Sequence, residues 1–287
     1  MQNEANLATQ QSTFISRLEH CWKQSNFVCV GLDPAYEQLP TIVKSRGSVE
    51  EALFVFNRDI VDATHDLVCT YKPNAAFYEM QGVEGLRALL RTVQYIKETY
   101  PHIPVILDAK RADIGTTNLG YVQAAFDIIG VDAITVHPYL GKEALAPFLA
   151  RIEKGIIILV KTTNPGASEF QDLPIGGAQE PLYLVVARHI ARDWNTYGNC
   201  AVVVGATYPA DLKRVRAIVG DMPILIPGIG AQGGEVEATV TAGKDSRGWG
   251  MIVNSSRSII YASIEDDFAQ AARKATEQLR EEINRYR

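Results

Sequence analysis

Short, continuous apolar runs recur along the chain, and between them lie segments in which apolar residues return at three- and four-residue intervals. The sequence thus switches repeatedly between a strand period and a helix period. Strand-like runs fall at 27–33, 67–72, 105–110, 133–137, 156–161, 201–205, 224–226 and 249–254. Helical spacing marks 49–65, 86–96, 118–129, 142–152, 182–194 and 210–219, a segment carrying Val236 and Val240, and a closing segment with Phe268, Ala272, Leu279 and Ile283 on one face.

Strands that are apolar throughout belong to a parallel sheet covered by helices. Eight strand–helix units with no compositional break predict an α/β fold, a (β/α)8 TIM barrel forming a single domain over 1–287. An open doubly wound sheet is the competing architecture. Against it, the first strand ends in Asp33-Pro34 without a G-x-G-x-x-G turn, and the Gly-rich turn, Gly228 to Gly234, follows the seventh strand instead. Ahead of the barrel, Phe14, Ile15, Leu18, Cys21 and Trp22 fall at helical spacing and predict an N-terminal helical extension within residues 1–26. The stretch 162–180 is rich in Gly, Pro, Asn and Ser and reads as an unusually long loop.

Composition narrows the function classes. With 287 residues, 47% hydrophobic and 21% charged, the chain has ample material for a buried core. A net charge of -5 and the lack of any Lys/Arg block disfavour nucleic acid and anionic membranes as partners. No apolar stretch is long enough to span a membrane, and the polar start does not resemble a secretory leader, so a cytoplasmic location is expected. Cys21, Cys29, Cys69 and Cys200 are widely spaced and read as buried thiols, not as disulfides, zinc ligands or a nucleophile.

Chemistry is concentrated where the strands end. Val105-Ile106-Leu107 leads into Asp108 and Lys110, which period-two alternation aims at one side, and Asp113 follows in the next turn. Charges against an apolar wall are costly unless paired or used. Asp33, Lys72, His137, Lys161 and Arg257 also close strands or follow them, whereas the opposite strand ends show no comparable convergence of charge in the sequence. That asymmetry points to an active site at the carboxyl-terminal mouth. The Gly-rich turn after strand seven and Ser255-Ser256-Arg257 after strand eight supply backbone N–H groups, hydroxyls and a guanidinium, a combination suited to a phosphorylated substrate. His137 reads as a satisfied strand-end histidine, and Lys161 as a packing or loop contact as readily as a catalytic group.

Asp108-x-Lys110-x-x-Asp113-Ile114-x-x-Thr117 resembles the signature of the orotidine 5'-phosphate decarboxylases, from Gly31-Leu32-Asp33 through Ser256-Arg257-Ser258. Lys161-Thr162-Thr163-Asn164-Pro165-Gly166 and the chain length are similar to the longer bacterial subgroup. The resemblance implies decarboxylation of orotidine 5'-phosphate to UMP without cofactor or metal. It assigns Lys72, Asp108, Lys110 and Asp113 to an alternating charge network, with Lys110 protonating carbon 6. It further implies that Asp33, Asp113 and Thr117 touch the ribose and that Ile114 packs near the pyrimidine. By the same resemblance Thr163, where relatives often have Ser, would contact the base, Pro227 and Gln232 would lie on a closing loop, and Gln232 and Arg257 would hold the phosphate. A homodimer in which Asp113 and Thr117 reach the neighbouring site is likewise implied.

Three rival readings stand beside this one. A metal-dependent sugar-phosphate decarboxylase or aldolase on a related barrel needs an acidic ligand where this chain has Lys72, whose ammonium repels a divalent cation. A Schiff-base aldolase needs a neutral nucleophilic lysine, whereas carboxylates flank Lys110 in sequence. A noncatalytic phosphate-ligand binding protein would bind without turnover.

Overall fold

The computed structural model describes residues 13–177, 179–229 and 233–287. Eight parallel strands, β1 (Val28–Leu32), β2 (Val68–Pro73), β3 (Ile106–Arg111), β4 (Ala133–Val136), β5 (Gly155–Lys161), β6 (Cys200–Val204), β7 (Ile224–Pro227) and β8 (Met251–Ser255), form one sheet. Its order is β2-β1-β8-β7-β6-β5-β4-β3. The two edges meet through parallel bridges from Tyr71 to Val105 and from Asn74 to Asp108, so the sheet closes into a (β/α)8 barrel.

An outer ring of helices covers it. Helix α1 (Phe14–Lys23) precedes the barrel, and α2 (Val49–Thr64), α3 (Gly82–Thr99), α4 (Gly115–Val122), α5 (Gly141–Leu149), α6 (Leu182–His189), α7 (Pro209–Val219), α8 (Gly233–Gly243) and α9 (Phe268–Tyr286) follow the strands in turn. The strands are apolar along most of their length, with polar residues such as Lys72, Asp108 and Asn254 toward their carboxyl ends, so period-two alternation is weak in their sequences. Helices α4 and α6 each run on into a wider π-turn, at Gln123–Ile129 and Ile190–Trp194. The long loop after β5 is not structureless: it contains a 3-10 turn at Pro165–Glu169 and a small hairpin pairing Pro174–Ile175 with Glu180–Pro181. All four cysteines are free and buried.

Of the extension expected within 1–26, residues 1–12 lie outside the described residues, and α1 packs against the amino-terminal end of the barrel. Phe14 lies so close to Gly155, the first residue of β5, that a Cβ there would sit 2.2 Å from the Phe14 ring. Trp22 stacks on Phe27 with ring centroids 6.3 Å apart. Helix α1 begins with Thr13, whose hydroxyl accepts the Ser16 N–H.

This end of the barrel corrects one expectation. The sequence shows little charge at the strand starts, yet the structure gathers buried charge there from loops and helices. Asp132, just before β4, contacts Arg17 at 2.6 Å, has Lys97 and Lys154 at 4.0 Å, and accepts the Val105 N–H at 2.9 Å. Arg216 on α7 donates to the carbonyls of Gly243, Gly220, Met222 and Gly250 at 2.6–2.8 Å. Asp245 accepts the N–H groups of Arg247 and Trp249, both at 2.8 Å. These charges close chain segments against one another, and their partners are chiefly backbone groups and neighbouring ions.

Candidate active site

At the carboxyl-terminal mouth two neighbouring strands, β2 and β3, deliver three charges to one spot. Lys72 ends β2 fully buried, and its ammonium donates to Asp108 Oδ2 at 3.0 Å. Lys110 donates to the other oxygen, Oδ1, at 2.7 Å, while its side chain remains 50% exposed toward the mouth. Asp108 therefore lies between two ammoniums. Burial pushes its carboxyl up, but the two ammoniums outweigh that and hold it well below the usual carboxylate range. Burial likewise lowers Lys72, and the carboxylates of Asp108 and Asp33 more than reverse it, so its ammonium is firmly charged.

Asp108 and Lys110 share a side for a different reason from the pleat. Lys110 has φ +46°, a left-handed conformation costing about 1–2 kcal/mol for a side chain with a Cβ. The β3–β4 register shifts between Leu107 and Arg111, so this segment is a bulge. Thr135, on β4 opposite the bulge, bonds both backbone and carboxylate there. The sequence reading missed Thr135. Its one signal is a hydroxyl in an otherwise apolar strand.

Four other predicted residues, Asp33, Thr163, Pro227 and Arg257, lie at strand ends on the same rim. Asp33 follows β1, and among the described residues its buried Oδ1 has no hydrogen-bond partner, which leaves an acceptor unsatisfied there. Thr163 follows β5 and is exposed, its methyl carbon lying over Gly205, where a Cβ would come within 2.0 Å of it. Pro227 ends β7 half-buried, and Arg257 is exposed at the start of a short helix, Arg257–Ile260, directly after β8. Ser255 joins the two candidate phosphate segments, bonding Ser258 at 2.5 Å and the Ile229 carbonyl at 3.4 Å. Gln232 lies outside the described residues.

Asp113, Ile114 and Thr117 stand slightly apart. The Asp113 carboxylate accepts the Ile114 N–H at 2.6 Å and, among the described residues, forms no ion pair within this chain. Buried Asn118 fixes the turn by bonding both the N–H and the carbonyl of Asp113, a second residue missed from sequence. Ile114 is 58% exposed, and Thr117 is exposed beside it.

Lys161 proves to be a loop contact: its buried ammonium pairs with Asp172 in the long loop and lies over the rings of Tyr183 and Tyr208. His137 follows β4, its N–H bonded to the Arg111 carbonyl and its ring nitrogen near the Tyr139 N–H at 3.4 Å. Among the described residues, no group of three or more His, Cys, Asp or Glu is arranged to hold a metal ion.

Residues 26–275 match the sequence model of the Orotidine 5'-phosphate decarboxylase / HUMPS family. The chain belongs to this family. It is 50% identical over 273 residues to an orotidine 5'-phosphate decarboxylase of Cellvibrio japonicus, a match covering 95% of this chain and 98% of that one. It is 51% identical over 277 residues to the orotidine 5'-phosphate decarboxylase of Thermomicrobium roseum, covering 96% of each. The structure of Leishmania donovani OMP decarboxylase superposes with a TM-score of 0.82 at 36% identity, covering 96% of this chain and 98% of that one. Within the family, the strand-end motif Asp108-x-Lys110-x-x-Asp113 is thus seen here on the barrel's carboxyl-terminal rim.

Proposed function

We propose that this chain is a carboxy-lyase that removes CO2 from carbon 6 of orotidine 5'-phosphate to give UMP in pyrimidine nucleotide biosynthesis. The observation that carries the reading is the Lys72–Asp108–Lys110 alternation at the mouth of the barrel, buried at Lys72 and open at Lys110, in a chain half-identical to decarboxylases of that name.

Loss of CO2 leaves an electron pair on carbon 6, and no thiamine or pyridoxal is needed if fixed charge stabilises it. Lys110 is the group exposed to the mouth, so it supplies the counter-charge and the proton. Asp108 lies against the departing carboxylate, and Lys72 holds Asp108 from behind. The orphaned Asp33 oxygen receives a ribose hydroxyl. Thr163 contacts the base and Ile114 the pyrimidine face, while Arg257, with Pro227 and Gln232 of the adjoining loop, holds the phosphate. Phosphate contacts remote from the reacting carbon then help to close the loop over it.

We further propose that the whole chain acts as one domain, that the enzyme works in the cytoplasm, where its charged phosphate-ester substrate is retained, and that it is a homodimer. Supporting the dimer, Ile114, Leu119, Tyr139 and Leu140 expose apolar area around the starts of α4 and α5, with Tyr139 89% exposed. A second copy seated there brings Asp113 and Thr117 to the partner's ribose. The rival metal-dependent chemistry is disfavoured because Lys72 occupies the strand end where an acidic ligand is required and binds the carboxylate a cation would need.

Mixing purified protein with orotidine 5'-phosphate in the presence of EDTA is expected to give the ultraviolet change of UMP formation, and Lys110→Ala to abolish it. An unchanged nucleotide, or full activity in the variant, sinks the reading. Loss of activity with EDTA alone favours the metal-dependent rival.

A further inference from the structure

Pairing between β3 and β4 runs Ile106 with Ala133 and Leu107 with Ile134, then resumes at Arg111 with Val136. Asp108, Ala109 and Lys110 therefore bulge across from one residue, Thr135. Two N–H groups of the bulge donate to the Thr135 hydroxyl oxygen in place of ladder carbonyls, Ala109 at 3.0 Å and Lys110 at 3.0 Å. The same hydroxyl donates to Asp108 Oδ1 at 2.8 Å. A hydroxyl has one proton and two lone pairs. With both lone pairs facing N–H donors, its proton has one destination, the carboxylate.

We propose that Thr135 is a positioning residue for the decarboxylation, one buried hydroxyl that fixes both the left-handed backbone at Lys110 and the orientation of the Asp108 carboxylate. The role rests on the function proposed above. Thr135 is 1% exposed, so it acts on the substrate only through the two charged residues it bonds.

Asp108 Oδ1 is shared between Thr135 and Lys110, and Oδ2 belongs to Lys72. Removing the hydroxyl leaves the carboxylate held by ammoniums alone, and one of those, on Lys110, must move during proton transfer. It also removes both hydrogen bonds that stabilise positive φ at Lys110, so the backbone carrying the ammonium relaxes. A misplacement of about 1 Å at a reacting group costs roughly 100-fold in rate. Substrate binding is expected to survive, because Thr135 bonds none of the residues assigned to the ribose or phosphate.

The test compares wild type with T135V, equal in shape but without the hydroxyl, and T135S, which keeps it. Turnover of orotidine 5'-phosphate, affinity for UMP by calorimetry and the urea midpoint are measured on each. T135V is expected to lose roughly 100-fold in kcat, with KM and UMP affinity within about threefold of wild type, and T135S to recover to within about fivefold of wild type. Should T135V not fold, T135C, a near match in volume with a poor donor, is expected to show the same split. The proposal is overturned if the folded variant keeps wild-type kcat, if kcat and UMP affinity fall together, or if T135S is as impaired as T135V. Wild type inert toward the nucleotide overturns the function itself, a result separate from any difference among variants.

Discussion

At the amino-terminal mouth of the barrel, Arg216 gives its N–H groups to four backbone carbonyls, and Asp132 lies among Arg17, Lys97 and Lys154. At the carboxyl-terminal mouth, Lys72, Asp108 and Lys110 bond chiefly to one another, Lys110 is half exposed, and an Asp33 oxygen has no partner among the described residues. Both rims desolvate charge, but the first closes it largely on backbone carbonyls and on ions from neighbouring segments, with only Arg17 Nε of these groups left without a partner among the described residues, whereas the second leaves the Lys110 ammonium exposed at the mouth. Charge satisfied by backbone ties segments together. Charge left facing a cavity is available to a ligand.

Substitutions at the two rims should therefore separate activity from stability. The largest effect is expected from Lys110→Ala, which removes the exposed ammonium: kcat falls by about a thousandfold or more, within what electrostatic stabilisation and proton donation supply. Its urea midpoint stays close to wild type, since the lysine is half solvated. Arg216→Met does the reverse. Four carbonyls lose their donor, so stability drops by about 3–5 kcal/mol, while turnover per folded molecule is retained. Chemical denaturation alongside active-site titration distinguishes the two patterns, and a stable but inactive Arg216 variant would break the contrast.

A smaller loss, about 1–3 kcal/mol, is expected from Asp132→Asn, which keeps an acceptor for the Val105 N–H but leaves Arg17 without its anion. Acid sensitivity marks the other rim. Asp108 stays ionised in the native site far below its ordinary range, so as the pH drops below about 4 the unfolded chain takes up a proton that the native site refuses. The stability this carboxylate confers is complete above that pH and is lost progressively below it. Asp108→Asn should accordingly show a flatter decline of the urea midpoint between about pH 4.5 and 2.5. Parallel declines in wild type and variant would show that Asp108 titrates as an ordinary carboxyl.

The barrel was legible because strands buried on both faces must be apolar along their length, and the eight runs ending in Asp33, Lys72, Lys110 or Lys161 and their counterparts coincide with β1 to β8. Lys72 and Asp108 were legible for the same reason: a charge at the end of an apolar run has nowhere to go but the rim. The bulge at Asp108–Lys110 was not, since alternation predicts the shared side correctly but by the wrong means, and the cause, Thr135, lies on another strand. Arg216 and Asp132 were hidden because their partners are backbone groups or ions from remote segments, which no local pattern encodes. Two-residue strands such as Pro174–Ile175 are too short to show a period. Thr163 entered the site through family resemblance alone, because an exposed threonine after a strand has no local signature of its own, whereas Arg257 was legible from its place beside Ser255 and Ser256 after the last strand.

The smallest effect sharpens the comparison from within one rim. Arg247 joins α1 to the loop before β8 by pairing with Glu19 at 3.0 Å, but it also pairs with Asp245 at 2.8 Å, and Asp245 has no exposed side-chain surface. Glu19 and Arg247 are both about a third solvated, so water competes for each, and fixing two long side chains costs entropy. Glu19→Gln should therefore change stability by less than about 0.5 kcal/mol, and added salt should erase the difference. Asp132→Asn, although it removes a carboxylate from the same rim, should retain its cost in salt because that group is buried against Arg17. If the two variants were equal in cost and in salt response, burial would not be what distinguishes a structural charge from a decorative one here. The division between the rims would then need another cause.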